Sequence, residues 1–305
     1  MEYTPELTKA LTELKRLTGM TMDVLLASPA DTAEALNQIR CLITAYREKY
    51  NKNDFLQSLM TGHIPAYDVH ERAGRLHIEP DLPRIMLLIE TKSAMADTVT
   101  EILKNLFASR DKTLLVPVTE HQIAVLRPLK AKEDDCEIVR LCNMIVDTLN
   151  MEALVQVHIA YSDVLHSLFE LSAAYRENAL ALKVGKLFYS DRRVFAHNKL
   201  GIGRLIYKLP MLVCENFLNE IFGEEVPASF DDETTNIINK FIQNNLNIAE
   251  TSRQLHMHRN TLIYRLEQME KRTGLDLRKF EDALTFRIAT MVLNYLHTER
   301  NSQNE

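Results

Sequence analysis

Apolar residues recur along this chain in two periods, and the switch between them divides it into regions. Leu7, Leu11, Leu14 and Leu17 return every three or four positions. That spacing lines one face of a helix and predicts a helix over 5–18, ended by Gly19. A longer helix is predicted from Asp31 or Thr32 to Thr61, before Gly62. Within it Leu36, Ile39, Ile43, Tyr46 and Tyr50 alternate three and four apart, as in the seam of a coiled coil. Two heptads fit either a dimer seam or a face packed on the helix's own domain, and both readings stay open.

From residue 84 strand-length runs alternate with helical spacing. Residues 84–90 (RIMLLIE) form an apolar run, and 98–107 are helical by spacing. Residues 113–118 and 122–126 flank the polar turn Thr119-Glu120-His121 and predict a β-hairpin. A helix follows over 137–149, then an alternating strand over 155–160. A long helix is predicted over 163–183, broken by Gly185, with short strands at 186–189 and 193–195. The order β-α-β-β-α-β-α-β predicts an α+β fold, a central sandwich with helices on its sheet. From about Leu200 the strand signals stop. Residues 203–221, 232–245, 248–255, 259–272 and 281–297 each read as helix. Three regions are expected: N-terminal helices over 1–62, the α+β domain over 63–200 and an all-α domain over 201–305.

Composition narrows the function classes. The chain has 305 residues, a formal net charge of −6 and a pI of about 6.0. A uniformly basic surface is excluded, so a nucleic-acid partner would need a local basic patch. The start, MEYTPELTKALTELKRL, lacks a signal peptide's basic segment and apolar core. The apolar runs 85–89 and 114–118 fall far short of the ~20 residues that span a bilayer. A cytoplasmic protein with no membrane partner is expected. Cys41, Cys136, Cys142 and Cys214 form no CxxC pair. They read as reduced, mostly packed thiols, and no metal site is expected. His63, His70 and His77 have no completing ligands nearby and read as surface or packing residues. Asp134-Asp135 and Asp231-Asp232-Glu233 stand at helix starts, where negative charge suits the dipole. GxSxG, P-loop and GxGxxG motifs are absent, so no catalytic residue and no cofactor are assigned.

The informative stretch is 247–280. Asn247 is a good N-cap, with Glu250 three residues on. A short helix carries Ile248, Ser252 and Leu255, with Ser252 small enough for a close helix crossing. The turn His256-Met257-His258 follows, with Met257 as an apolar plug. A second helix carries Leu262, Leu266 and Met269 inward. This is the pattern of a helix-turn-helix at about 247–270, whose second helix enters the major groove of double-stranded DNA. The opposite face presents Arg259, Asn260, Ile263, Tyr264 and Glu267. Arg and Asn there suit bidentate bonds to guanine and adenine edges. His258 and Thr261 stand where the helix N-terminus favours a phosphate, and His258 can also cap. Arg253, Arg265 and Lys271 complete the expected DNA-binding set. Arg253, Arg259, Arg265, Lys271, Arg272, Arg278 and Lys279 against Glu250, Glu267, Glu270 and Asp276 give seven minus four, or +3, within a chain of −6. So modest a patch makes dimerisation matter. On spacing alone, a solvated amphipathic helix pair without a partner fits equally well.

The residues themselves carry a resemblance. His258-Arg259-Asn260-Thr261-Leu262, Tyr264-Arg265-Leu266, Thr273-Gly274-Leu275-Asp276-Leu277 and Phe280-Glu281-Asp282 resemble the C-terminal signature of the PucR/CdaR family of bacterial regulators. They are similar, more loosely, to the DNA-binding end of the Fis protein. Upstream, Ala73-Gly74-Arg75-Leu76, Leu126-Arg127-Pro128 and Ser172-Ala173-Ala174-Tyr175-Arg176 resemble the family's central domain. The resemblance spans roughly 50–300. It implies a degenerate GGDEF-like (diguanylate cyclase-like) domain, a homodimer, a small-molecule effector and control of a catabolic operon. An active cyclase carries Gly-Gly-Asp/Glu-Glu-Phe at the hairpin, where this chain has Val118-Thr119-Glu120-His121-Gln122. Without the glycine pair a phosphate cannot approach, and without the carboxylate pair Mg²⁺ is not held, so cyclase chemistry is not expected. About 60 residues precede the central domain, against some 130 in the sugar-diacid recognition domain of the diacid regulators, so their ligand does not transfer. The alternatives are a nucleotide cyclase-like enzyme and an interaction protein that no longer binds DNA.

Overall fold

The computed structural model describes residues 4–18, 29–49, 51–92, 97–107, 112–130, 133–223, 226–227 and 230–303. Two compact units divide the chain, at 1–179 and 180–305.

The first unit opens with α1 (Pro5–Thr18), α2 (Pro29–Lys49), α3 (Lys52–Met60) and α4 (Ala66–Arg75). The alternating segment follows: β1 (Arg84–Thr91), α5 (Asp97–Leu106), β2 (Leu114–Thr119), β3 (Gln122–Pro128), α6 (Asp135–Glu152), β4 (Val157–Tyr161) and α7 (Leu171–Phe188). The expected β-α-β-β-α-β-α-β order is thus present, completed by β5 (Val194–Ala196) in the second unit. In the first unit the strands lie in the order β2-β3-β1-β4. Each pairing is antiparallel, with Leu88 opposite Ala124 on one side and Ala160 on the other. Ile85 through Ile89 are all buried, because a central strand covered on both faces has no solvated side. Burying each such side chain stabilises by about 1.5–3 kcal/mol. Val99 and Leu103 of α5 and Ile138, Cys142, Ile145 and Leu149 of α6 are the buried faces of those helices.

Several elements depart from the periodicity. The helix expected over 31–61 is two helices, with the Asn51 side chain accepting from the Asn53 N–H at 3.0 Å to start α3. Ile39 and Ile43 are buried with Leu7, Ala10 and Leu14 of α1, and Leu36 packs beside them. This is the own-domain packing that the spacing alone left open. The Tyr46 side chain and Tyr50 lie outside the described residues. The helix α7 starts at Leu171 rather than near 163, because Leu165 and Arg84 exchange two 2.8 Å backbone bonds that hold 163–167 against β1. At its other end Gly185 does not break the helix, and 186–188 are helical rather than strand. A Cβ at Gly185 would lie 2.4 Å from the Phe195 ring, so the glycine permits close packing. Half of the four thiols are exposed, Cys41 and Cys136, while Cys142 and Cys214 are buried. Burial pushes the Cys142 thiol up to about 12.

The second unit is helical beyond β5: α8 (Ile202–Ile206), α9 (Met211–Phe222), α10 (Asp232–Gln243), α11 (Ile248–Gln254), α12 (Arg259–Thr273) and α13 (Phe280–Gln303). The single helix expected over 203–221 is split at Pro210, which lacks an N–H and disfavours helix at the residue before it. Ile237, Ile238, Phe241, Leu262, Leu266, Met269, Leu277 and Phe286 form one buried cluster shared by α10, α12, α13 and the segment before α13. Among the described residues no helix is long and apolar enough to cross a membrane.

Candidate nucleic-acid interface

Local chemistry sets the angle between α11 and α12. The Asn247 side chain accepts from the Glu250 N–H at 3.1 Å and starts α11. Thr251 and Ser252 are buried on its inner side. Asn244 donates to the Thr251 hydroxyl at 3.2 Å, tying the end of α10 to α11. Small side chains there let the helices approach. His256 adopts a left-handed conformation (φ 51°), which reverses the chain within one residue. Met257, half-buried, packs onto the shared cluster. His258 then caps α12, its Nδ1 accepting from the Asn260 N–H at 3.2 Å. Gly274 closes the helix in the left-handed region.

The inner face of α12 is fixed by Leu262, Leu266 and Met269. Arg259, Asn260 and Thr261 are exposed in its first turn, and Tyr264 is 58% exposed one turn on. Ile263 is half-buried beside them. Lys271 and Arg272 are exposed at its end. Arg259, Lys271 and Arg272 make no ion pair among the described residues. The other cations are engaged. Arg253 pairs with Glu250 at 2.6 Å, and that bond, with help from Gln254, holds the Glu250 carboxyl below its usual range. Arg265 donates to both Glu233 oxygens at 2.9 and 3.1 Å, bracing α12 against α10. Arg278 binds Asp276 at 2.6 Å and Glu270 at 2.9 Å, and its bond lowers the Asp276 carboxyl.

The nine residues expected at the interface are therefore not equivalent. Arg259, Asn260, Thr261 and Tyr264 form one outward patch, with Lys271 exposed further along the same helix. His258 works as the helix cap, and Arg265 as a brace. Glu233, Asn244 and Thr251 were not expected in this framework. Glu233 lies 32 residues from its partner, so no local spacing announces it.

The sheet unit carries the other recognisable feature. The hairpin turn between β2 and β3 is Glu120-His121, with the His121 N–H bonded to the Thr119 hydroxyl at 3.2 Å. Beside it Tyr175 donates to Gln122 at 3.3 Å, and Gln122 donates to Glu90 at 3.2 Å. Among the described residues no group of three His, Cys, Asp or Glu could hold a metal ion.

Both regions match known families. Residues 61–184 match the GGDEF-like domain, and 235–292 match the PucR C-terminal helix-turn-helix domain. The chain is similar to the purine catabolism regulatory protein of Bacillus subtilis, 26% identical over 134 residues, covering 44% of this chain and 25% of that protein. It is similar to the carbohydrate diacid regulator of Escherichia coli, 22% identical over 270 residues, covering 85% of this chain and 70% of that protein. It is also similar to the DNA-binding transcriptional activator AdeR of Bacillus subtilis, 20% identical over 282 residues, covering 86% of this chain and 64% of that protein. The chain thus spans only a quarter of the first of these relatives.

Proposed function

We propose, for a chain whose two matched domains make it a PucR/CdaR-type protein, that it is a sequence-specific DNA-binding transcription regulator. The observation that carries this reading is the outward patch of Arg259, Asn260, Thr261 and Tyr264 on a helix whose inner face is locked by Leu262, Leu266 and Met269. Arg259 would read a guanine edge and Asn260 an adenine edge in the major groove. Thr261, the α12 N-terminus, Arg253 and Lys271 would hold phosphates and fix the register. His258 and Arg265 would act by positioning the helix. Relatives described as regulators and as a DNA-binding activator support the same reading.

The protein acts as a homodimer on two half-sites about 34–36 Å apart, since a patch of +3 holds a single duplex contact weakly. The three regions 1–62, 63–200 and 201–305 serve dimerisation, sensing and DNA binding. A helix pair already closed on itself leaves the outer faces of α1 and α2 for the partner, rather than Ile39 and Ile43. The GGDEF-like domain transmits an effector signal without catalysis, because the Glu120-His121 turn offers neither glycine pair nor carboxylate pair. The protein works in the cytoplasm and controls a catabolic operon. Capture of sheared genomic DNA by the purified full chain, followed by sequencing, tests this. Recovery of a two-fold-related motif upstream of a catabolic gene is expected. Uniform recovery across the genome would refute sequence-specific recognition.

A further inference from the structure

Among the described residues two arginines are buried to the same depth, and only one of them is paired with a carboxylate. Arg84 and Arg127 are each 4% exposed. Arg127 pairs with Glu133, itself nearly buried. Arg84, the first residue of β1, donates only to the carbonyls of Leu82 at 2.9 Å and Glu79 at 2.6 Å, and makes no ion pair among the described residues. The Nε atoms of both guanidiniums lack partners. Burial lowers the Arg84 pKa, and the Glu79 carboxylate, which attracts the guanidinium without pairing with it, offsets that only in part; a buried cation with no paired carboxylate is costly.

Arg84 differs from Arg127 in a second respect: it borders a cavity of about 160 Å³, with Lys52, His77, Ile78, Glu79, Leu82, Lys112 and Leu114 around it. Lys52, His77 and Lys112 are exposed at its edge. Three permanent cations therefore meet one carboxylate, Glu79, which already takes a 2.5 Å bond from Lys112. His77 and Lys112 both adopt left-handed backbone conformations (φ 53° and 50°). Neither is glycine, and such strain persists where surrounding structure enforces it. The register places the cavity away from the hairpin: Arg84 pairs opposite Pro128, whereas Glu90 pairs opposite Gln122 beside the turn. Six residues of strand separate the two ends, roughly 20 Å at ~3.3 Å per residue. The cavity is therefore no remnant of a nucleotide site at the turn.

We propose that this cavity is a binding site for a small oxyanion, a phosphate or a short carboxylic acid, held by Arg84 from below and by Lys52 and Lys112 at its mouth. The guanidinium supplies the planar donor set that such oxygens match, and the lysines supply point charges. The volume of about 160 Å³ admits one such group. The site stands independently of DNA recognition.

Isothermal titration calorimetry of the full chain with inorganic phosphate, and separately with succinate, tests the proposal at constant ionic strength set with sodium chloride. Saturable binding of either, one per chain, is expected, and which of the two binds tells phosphate from carboxylate. The Lys52→Ala/Lys112→Ala variant, whose exposed side chains leave folding intact, should weaken that binding by about tenfold or more. Arg84→Gln should abolish it. Absence of saturable heat for both anions at millimolar concentration overturns the proposal. So does undiminished binding in the double lysine variant, with its fold verified by circular dichroism.

Discussion

The strand β1 and the helix α12 use their side chains in opposite ways. In β1 the run from Ile85 to Ile89 is fully buried, and its end residues are tied into neighbouring backbone. In α12 only Leu262, Leu266 and Met269 are buried, and the first turn leaves Arg259, Asn260 and Thr261 exposed. One element is buried along its length, and the other leaves its outer face exposed. Changes in the sheet unit should therefore alter unfolding and leave recognition intact in the folded protein. Changes on the outer face of α12 should do the reverse.

The sharpest break would come from Glu133→Ala. It strips the buried Arg127 of its carboxylate, and a buried pair broken on one side costs about 3–5 kcal/mol. Urea unfolding should show that loss, while DNA affinity of the folded protein stays unchanged. Arg259→Ala is the mirror case. It should cost about 1–3 kcal/mol in DNA binding, read by fluorescence anisotropy. Its unfolding midpoint should move by no more than ~0.5 kcal/mol, as for surface positions in general. Lys271→Ala should lower the slope of log affinity against log salt by about 1 and weaken all sequences alike. Arg265→Ala sits between the two classes. Its pair with Glu233 is 42% and 57% exposed, so stability should fall by only ~0.2–1 kcal/mol. A loss of DNA affinity larger than that would make Arg265 a direct contact rather than a brace.

The same contrast explains what could be read from the chain. The order of strands and helices along the chain was legible because apolar runs at 84–90 and 122–126 and the alternation at 155–160 are strong local signals. The helix-turn-helix was legible because caps and inner-face residues repeat at fixed spacing: Asn247, Met257, Leu262, Leu266. What escaped depends on partners remote in sequence. Gly185 reads locally as a breaker, yet the Phe195 ring beside it decides otherwise. Residues 163–167 read as helix, yet the backbone exchange between Arg84 and Leu165 holds them against the sheet. The 3-4 spacing of Leu36, Ile39 and Ile43 cannot say which helix covers it, and α1 covers it. The pair of Arg265 with Glu233 joins residues 32 apart, which no local spacing reveals.

One comparison bears most directly on the claim that the first turn of α12 reads bases. Competitive anisotropy would measure the wild-type chain and Asn260→Ala on the selected operator and on a scrambled duplex of equal length, at the same salt. The account predicts that the wild type prefers the operator and that Asn260→Ala loses that preference while retaining its weaker hold on the scrambled duplex. Equal affinity of the wild type for both duplexes, or an Asn260→Ala chain that still prefers the operator by the full margin, would contradict it.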